Sequence, residues 1–162
     1  MIKIDGYKIV KTIGHGGMST VFLAVQKSVD RYVALKVMAR NLVDDRDYQE
    51  RFLSEAKIAA QFRHPNIISI LDVSIANGRP YISMEYVPGG ELDDARIQRM
   101  SLKEKLDVVI QISDALAFLH SKNFVHRDIK PANILFRDDN SAVLTDFGIA
   151  RDRSLNSRMT MA

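Results

Sequence analysis

Three β-prone runs stand close together at the start of the chain, at residues 7–13, 20–25 and 32–38. The connections between them are too short for the crossover that parallel neighbours require, so the runs must pair antiparallel. The third run, containing Val33-Ala34-Leu35-Lys36-Val37, is apolar except for one lysine. A helical stretch is expected over residues 47–61, opened by Asp44 and Asp45, with Phe52, Ile58, Ala59 and Phe62 at helical spacing. His64-Pro65-Asn66 ends it, because the residue before proline is pushed out of the helical region. Two further runs, 67–75 and 79–86, flank Asn77-Gly78, a strong hairpin signal.

Pro88-Gly89-Gly90 then breaks the pattern like a hinge. A short helix is expected over 91–98. Ser101 and Glu104 form a capping box for a long helix over 102–121. Its apolar stripe runs through Leu106, Val109, Ile110, Ile112, Leu116, Ala117 and Leu119. Short strands at 134–136 and 142–145 come next, around an Asp138-Asp139-Asn140 turn. The order is a five-strand antiparallel sheet interrupted by one helix, a hinge, then a helix: an α+β chain of two lobes with a cleft between them.

With 162 residues, 46% hydrophobic and 27% charged, the chain reads as soluble and globular and can bury a real core. A net charge of +3, spread along the chain, argues against a nucleic-acid patch. The absence of cysteine excludes disulfides and thiolate metal sites. No signal peptide is read at residues 1–10, and the apolar stretches are too short to span a bilayer.

Three groups of residues carry chemistry. Residues 13–21 read G-x-G-x-x-S-x-V, and glycines allow backbone amides close to phosphate oxygens. Alone the signal is weak, and an ordinary hairpin turn accounts for it equally well. A dinucleotide-binding unit would need a helix at the second glycine, whereas a β-branched run stands here. Lys36 in its apolar strand needs an anionic partner, and Glu55 on the next helix is a candidate; an arbitrary pair of this kind would lie in solvent. His126-Arg127-Asp128-Ile129-Lys130-Pro131-Ala132-Asn133, with Asp146-Phe147-Gly148 after it, gathers a carboxylate able to accept a hydroxyl proton, an ammonium to neutralise a phosphoryl group, and oxygen ligands of the kind Mg²⁺ takes.

In this order (glycine-rich loop, V-A-L-K, helix glutamate, M-E-Y-V hinge, H-R-D-I-K-P-A-N, D-F-G) the chain resembles the eukaryotic-like protein kinases, especially their bacterial serine/threonine branch. The resemblance implies a five-strand N-lobe and hinge at 1–87 that binds ATP. It also implies a partial helical C-lobe at 88–162 that holds the catalytic loop, D-F-G and the start of the activation segment. The family pattern runs well past the fourteen residues that separate Gly148 from Ala162, so the C-lobe is expected to be incomplete and the helix over 102–121 to lack partners. Gly14, Gly16 and Ser19 would cover the phosphates, with Ser19 where many relatives have glycine. Ile13, Val21, Ala34 and Leu135 would enclose adenine, Met84 would be the gatekeeper, and Glu85 to Val87 would offer backbone hydrogen bonds. Lys36 would hold the α- and β-phosphates and pair with Glu55. Asp128 would be the base, Lys130 the serine/threonine signature beside it, and Asn133 and Asp146 the ligands of Mg²⁺, with Mn²⁺ a second candidate. His126 would be a spine residue and His64 a structural loop residue. Arg127 resembles members switched by phosphorylation, for which Ser154, Ser157 and Thr160 are candidate sites. The implied activity is transfer of the ATP γ-phosphate to a protein Ser/Thr hydroxyl in the cytoplasm; the alternative is a nucleotide-binding regulatory fragment without transfer.

Overall fold

Strands β1 (Tyr7–His15), β2 (Ser19–Gln26), β3 (Arg31–Met38), β4 (Ile70–Ala76) and β5 (Arg79–Glu85) form one antiparallel sheet in the order β1-β2-β3-β5-β4. The computed structural model describes residues 3–147, so Gly148, Ser154, Ser157 and Thr160 lie outside the described residues. Central β3 is buried on both faces, which explains its nearly unbroken apolar run. Val33, Leu35 and Val37 face an outer cluster with Ile4, Tyr7, Ala24 and Tyr81. Ala34 and Met38, on the other face, join Ile82 and Met84 in the main core. That second face is also the one Lys36 shares, by the alternation of a strand.

Helix α1 (Arg46–Ala59) packs on the inner face through Tyr48, Phe52, Ala56 and Ala59. Asp45 caps it, its side chain accepting from the Tyr48 amide at 2.9 Å. Two sequence expectations need correcting here. Ile58 points outward and is 47% exposed, and Phe62 lies past the helix end, where it packs against Phe118, Phe124 and Phe147. The fourth strand also starts later than expected, at Ile70. The backbone of residues 66–68 instead bonds to the far end of the molecule, Ile68 N donating to Leu144 O and Leu144 N to Asn66 O, both at 2.9 Å. The Asn77-Gly78 turn has φ of 51° and 73°, as a tight two-residue hairpin requires.

Beyond β5 come α2 (Asp94–Arg99), α3 (Leu102–Ser121), and a two-stranded ribbon of β6 (Ile134–Phe136) and β7 (Ala142–Leu144). The Ser101–Glu104 capping box forms as expected. The expected apolar stripe of α3 divides. Val108, Ile112, Ala115 and Leu119 enter the core, while Leu106, Val109 and Ile110 are exposed. The ribbon explains the choice, because β7 packs across the face that carries Val108 and Ile112. One core therefore runs from the sheet through α1 to α3 and the ribbon. Among the described residues no helix is long and apolar enough to cross a membrane.

Candidate active site

A cleft of about 590 Å³ opens between the sheet and the β6–β7 ribbon. Its roof is the β1–β2 turn, a strand–loop–strand as the sequence indicates. Gly16 N donates to Ser19 O at 2.9 Å, and Ala39 N to Met18 O at 2.9 Å, tying the loop to the end of β3. Ile13, Gly14, Gly16, Ser19, Val21 and Ala34 line this upper wall. Met84, Glu85 and Val87 line the back, and Leu135 the floor. Lys130, Asn133 and Asp146 stand at the inner end. Gly89 closes the connection behind the cleft: its amide donates to Phe136 O at 2.9 Å. Ile68, Glu91 and Thr145 also line the cleft. Only Thr145, next to Asp146, carries a sequence signal; Ile68 arrives through its pairing with β7.

The loop over residues 126–133 is held from inside. His126 is 1% exposed, and its Nε2 lies 2.9 Å from Thr145 O. Its Nδ1 accepts from the Asp128 amide at 3.3 Å, so the proton resides on Nε2 and the ring donates to Thr145 O. Burial holds the imidazole below its usual range, against the opposing pull of the Thr145 carbonyl, Asp128 and Asp146. Phe147 is buried against His126, Phe62 and Phe124. Thr145 N donates to Asn133 O at 2.9 Å, so the ribbon and the loop form one unit.

Asp128 stands on this frame with its side chain 18% exposed. Lys130 Nζ lies 2.9 Å from its Oδ2. Asn133, 3% exposed, donates from Nδ2 to Asp128 O at 2.7 Å and to Oδ2 at 3.1 Å. That spends both amide protons and leaves the Asn133 carbonyl as the outward acceptor. Asp146, at φ 55°, gives Oδ1 to Lys36 Nζ at 2.7 Å. A carboxylate and a carboxamide oxygen make a donor set of two, and among the described residues no cluster of three or more His, Cys, Asp or Glu gathers to hold a metal. Two protein oxygens suit a hard divalent cation that keeps water and substrate phosphate in the rest of its shell.

The expected pairing of Lys36 with Glu55 is replaced. Lys36 meets Asp146, and Glu55 Oε1 lies 3.8 Å from Arg127 Nη1. The backbone is left-handed at both Asp146 (φ 55°) and Arg127 (φ 66°), the two residues that make these pairs. Both carboxylates have a cation, arranged differently from the sequence expectation. His64 is a loop brace, as expected: its Nδ1 accepts from Asn66 N at 3.1 Å, and its Nε2 reaches Asp114 at 3.3 Å.

The family model described as protein kinase domain matches residues 7–162. The chain belongs to the protein kinase family. Among its relatives are the serine/threonine-protein kinase PknJ of Mycobacterium tuberculosis, 41% identical over 151 residues, and PrkC of Bacillus subtilis, 42% identical over 151 residues. These alignments cover 90% and 91% of this chain but 26% and 23% of the relatives, so the chain spans about a quarter of their length. The crystal structure of a point mutant of the Mycobacterium tuberculosis PknI kinase domain superposes with a TM-score of 0.79 at 30% identity, covering 94% of this chain and 63% of that one. The five-strand sheet with its single packed helix is the arrangement of a kinase N-lobe.

Proposed function

We propose that the chain carries the catalytic site of a serine/threonine protein kinase, dividing functionally into an ATP-binding part, 1–87, and a catalytic part, 88–162. One observation carries the reading: Lys36, Asp128, Lys130, Asn133 and Asp146, from five separate sequence positions, converge at one end of a cleft roofed by a glycine-rich loop. Adenine would lie between Val21 and Ala34 above and Leu135 below, with Ile13 at the entrance and Met84 at the back. The backbone of Glu85 to Val87 would bind its edge. Gly14, Gly16 and Ser19 would cover the phosphates from the roof.

Asp128 would orient the acceptor hydroxyl and take its proton. Its carboxylate is already fixed by Asn133 and Lys130, so the base is aimed before substrate arrives. Lys130 would turn from Asp128 toward the transferring phosphoryl group, and Lys36 toward the α- and β-phosphates. Asn133 Oδ1 and Asp146 would hold the divalent cation, Mg²⁺ or Mn²⁺, which supplies neutralisation of phosphate charge. Glu55 would be the alternative partner of Lys36. The acceptor would be a protein Ser or Thr, and Ser154, Ser157 and Thr160 of the chain itself are candidates. The need for ATP points to the cytoplasm as the place of reaction.

The test is transfer of labelled phosphate from ATP and Mg²⁺ to a basic protein acceptor. Asp128→Asn should lower it by about 10²–10⁴-fold while nucleotide binding persists. Saturable ATP binding with no transfer by the wild-type chain would favour the regulatory-fragment reading instead.

A further inference from the structure

Arg137 has no part in the site as described, yet its guanidinium joins three segments that are remote in sequence. It sits at the β6–β7 turn, where its amide donates to Ser141 O at 3.0 Å. Its Nη1 donates to Pro65 O, and its Nη2 lies 2.8 Å from Glu85 Oε1. Glu85 is the last residue of β5 and lines the cleft. Its Oε1 also accepts from Ser69 N at 3.0 Å, while its amide donates to Ser69 O at 3.0 Å. The side chain of Glu85 is therefore anchored behind the strand, leaving its backbone to border the cleft.

We propose that Arg137 is a positioning residue for nucleotide: it clamps the hinge at Glu85 from the C-lobe side and so sets the spacing of the adenine-binding backbone relative to the floor at Leu135. The proposal rests on the nucleotide reading of the cleft. Two physical points support it. First, Arg137 and Glu85 are part-buried, at 29% and 27% side-chain exposure, and each holds a second hydrogen bond, to Pro65 O and from Ser69 N, so the pair is more than a loose surface contact. Second, Leu135 lies two residues from Arg137 on the same short ribbon. A guanidinium bound to Glu85 thus links roof-side hinge and floor through one rigid fork, which an ammonium cannot reproduce at both acceptors. Charge matters as well. Without Arg137, the part-buried Glu85 carboxylate would keep only the Ser69 amide, an uncompensated charge that would loosen the hinge.

The experiment compares wild type with Arg137→Met, Arg137→Lys, Glu85→Gln and the Arg137→Met/Glu85→Gln double variant. Two readouts are taken: MgADP affinity by calorimetry, and amide hydrogen exchange across the hinge (residues 84–89) with α3 as internal reference. Arg137→Met should raise the MgADP Kd about tenfold and speed hinge exchange about tenfold, with α3 unchanged. Arg137→Lys should fall between, and the double variant should recover most of the affinity, since removing the carboxylate removes the uncompensated charge. Unchanged hinge exchange in Arg137→Met, or acceleration shared equally by α3, would overturn the positioning role. If wild type binds no MgADP, the nucleotide reading fails, and hinge exchange still decides whether Arg137 is the clamp.

Discussion

The Lys36 ammonium lies 2.7 Å from Asp146 Oδ1, bridging the central strand of the sheet and the end of the β6–β7 ribbon. The two residues are 110 positions apart. Lys36 is 13% exposed at its side chain and Asp146 38%, so the pair sits at the inner limit of the cleft. Asp146 is thus the counter-charge of Lys36 and, under the proposed function, the residue that would also hold the divalent cation. Replacing Lys36 by Met should cut phosphate transfer by about 10²–10³-fold, the scale of one lost electrostatic contact to a reacting phosphate. Thermal stability should change little, because the partner carboxylate stays partly solvated. Parallel transfer assays and melting curves check both halves.

Gly89 has a steric reason to be glycine. A Cβ there would fall well inside contact distance of the Phe136 carbonyl, to which the Gly89 amide is bonded. Gly89→Ala should destabilise the fold by about 1–3 kcal/mol, as overpacking does. A clear fall in melting temperature is expected, whereas Gly17→Ala, which meets nothing within 4 Å, should leave it unchanged.

Asn66 is a buried polar tie from the segment after α1 to α3 and the β6–β7 ribbon. Its Nδ2 donates to Ala142 O at 2.7 Å and to Gln111 Oε1 at 2.9 Å, and Gln111 in turn accepts from Ala142 N at 2.8 Å. Asn66→Ala strips a bond from the buried Ala142 carbonyl and should cost about 1–3 kcal/mol. Urea unfolding should show a lower midpoint, and Gln111→Ala should give a smaller loss that is not additive with it.

His126 predicts a pH dependence of stability. Burial lowers its pKa in the folded chain, so the unfolded chain binds the proton more readily. The stabilisation is complete above the unfolded histidine pKa of about 6.5 and is lost as pH falls below it toward the folded value. Melting temperature should therefore decline as pH drops from about 7 toward about 5. His126→Gln should be less stable at neutral pH and show a shallower decline; an equal slope in both proteins would remove His126 as the cause.

Much of this is legible in the residues. Short connections dictate antiparallel strands, Asn77-Gly78 makes a two-residue hairpin, and Ser101 with Glu104 marks where α3 begins. These features are local: a few neighbouring residues decide the backbone. The α3 stripe is less legible, because periodicity identifies an apolar helix without saying which part of a wide stripe meets a neighbour. Ile58 fits helical spacing as well as Phe52 does, yet only Phe52 finds the sheet. The cleft residues are found through their order along the chain, while Ile68, Glu91 and Arg137 carry no such order and escape a reading by motif.

By itself the sequence determined the order of strands and helices and the family, and it offered a set of side chains suited to phosphoryl-transfer chemistry. The tertiary structure decided who pairs with whom. Lys36 stands against Asp146, Glu55 against Arg127, and Arg137 against Glu85. A charge type and a spacing along the chain leave several partners open. Coulomb attraction and hydrogen bonding select among them at contact distance, and only the packing of distant segments brings particular groups that close.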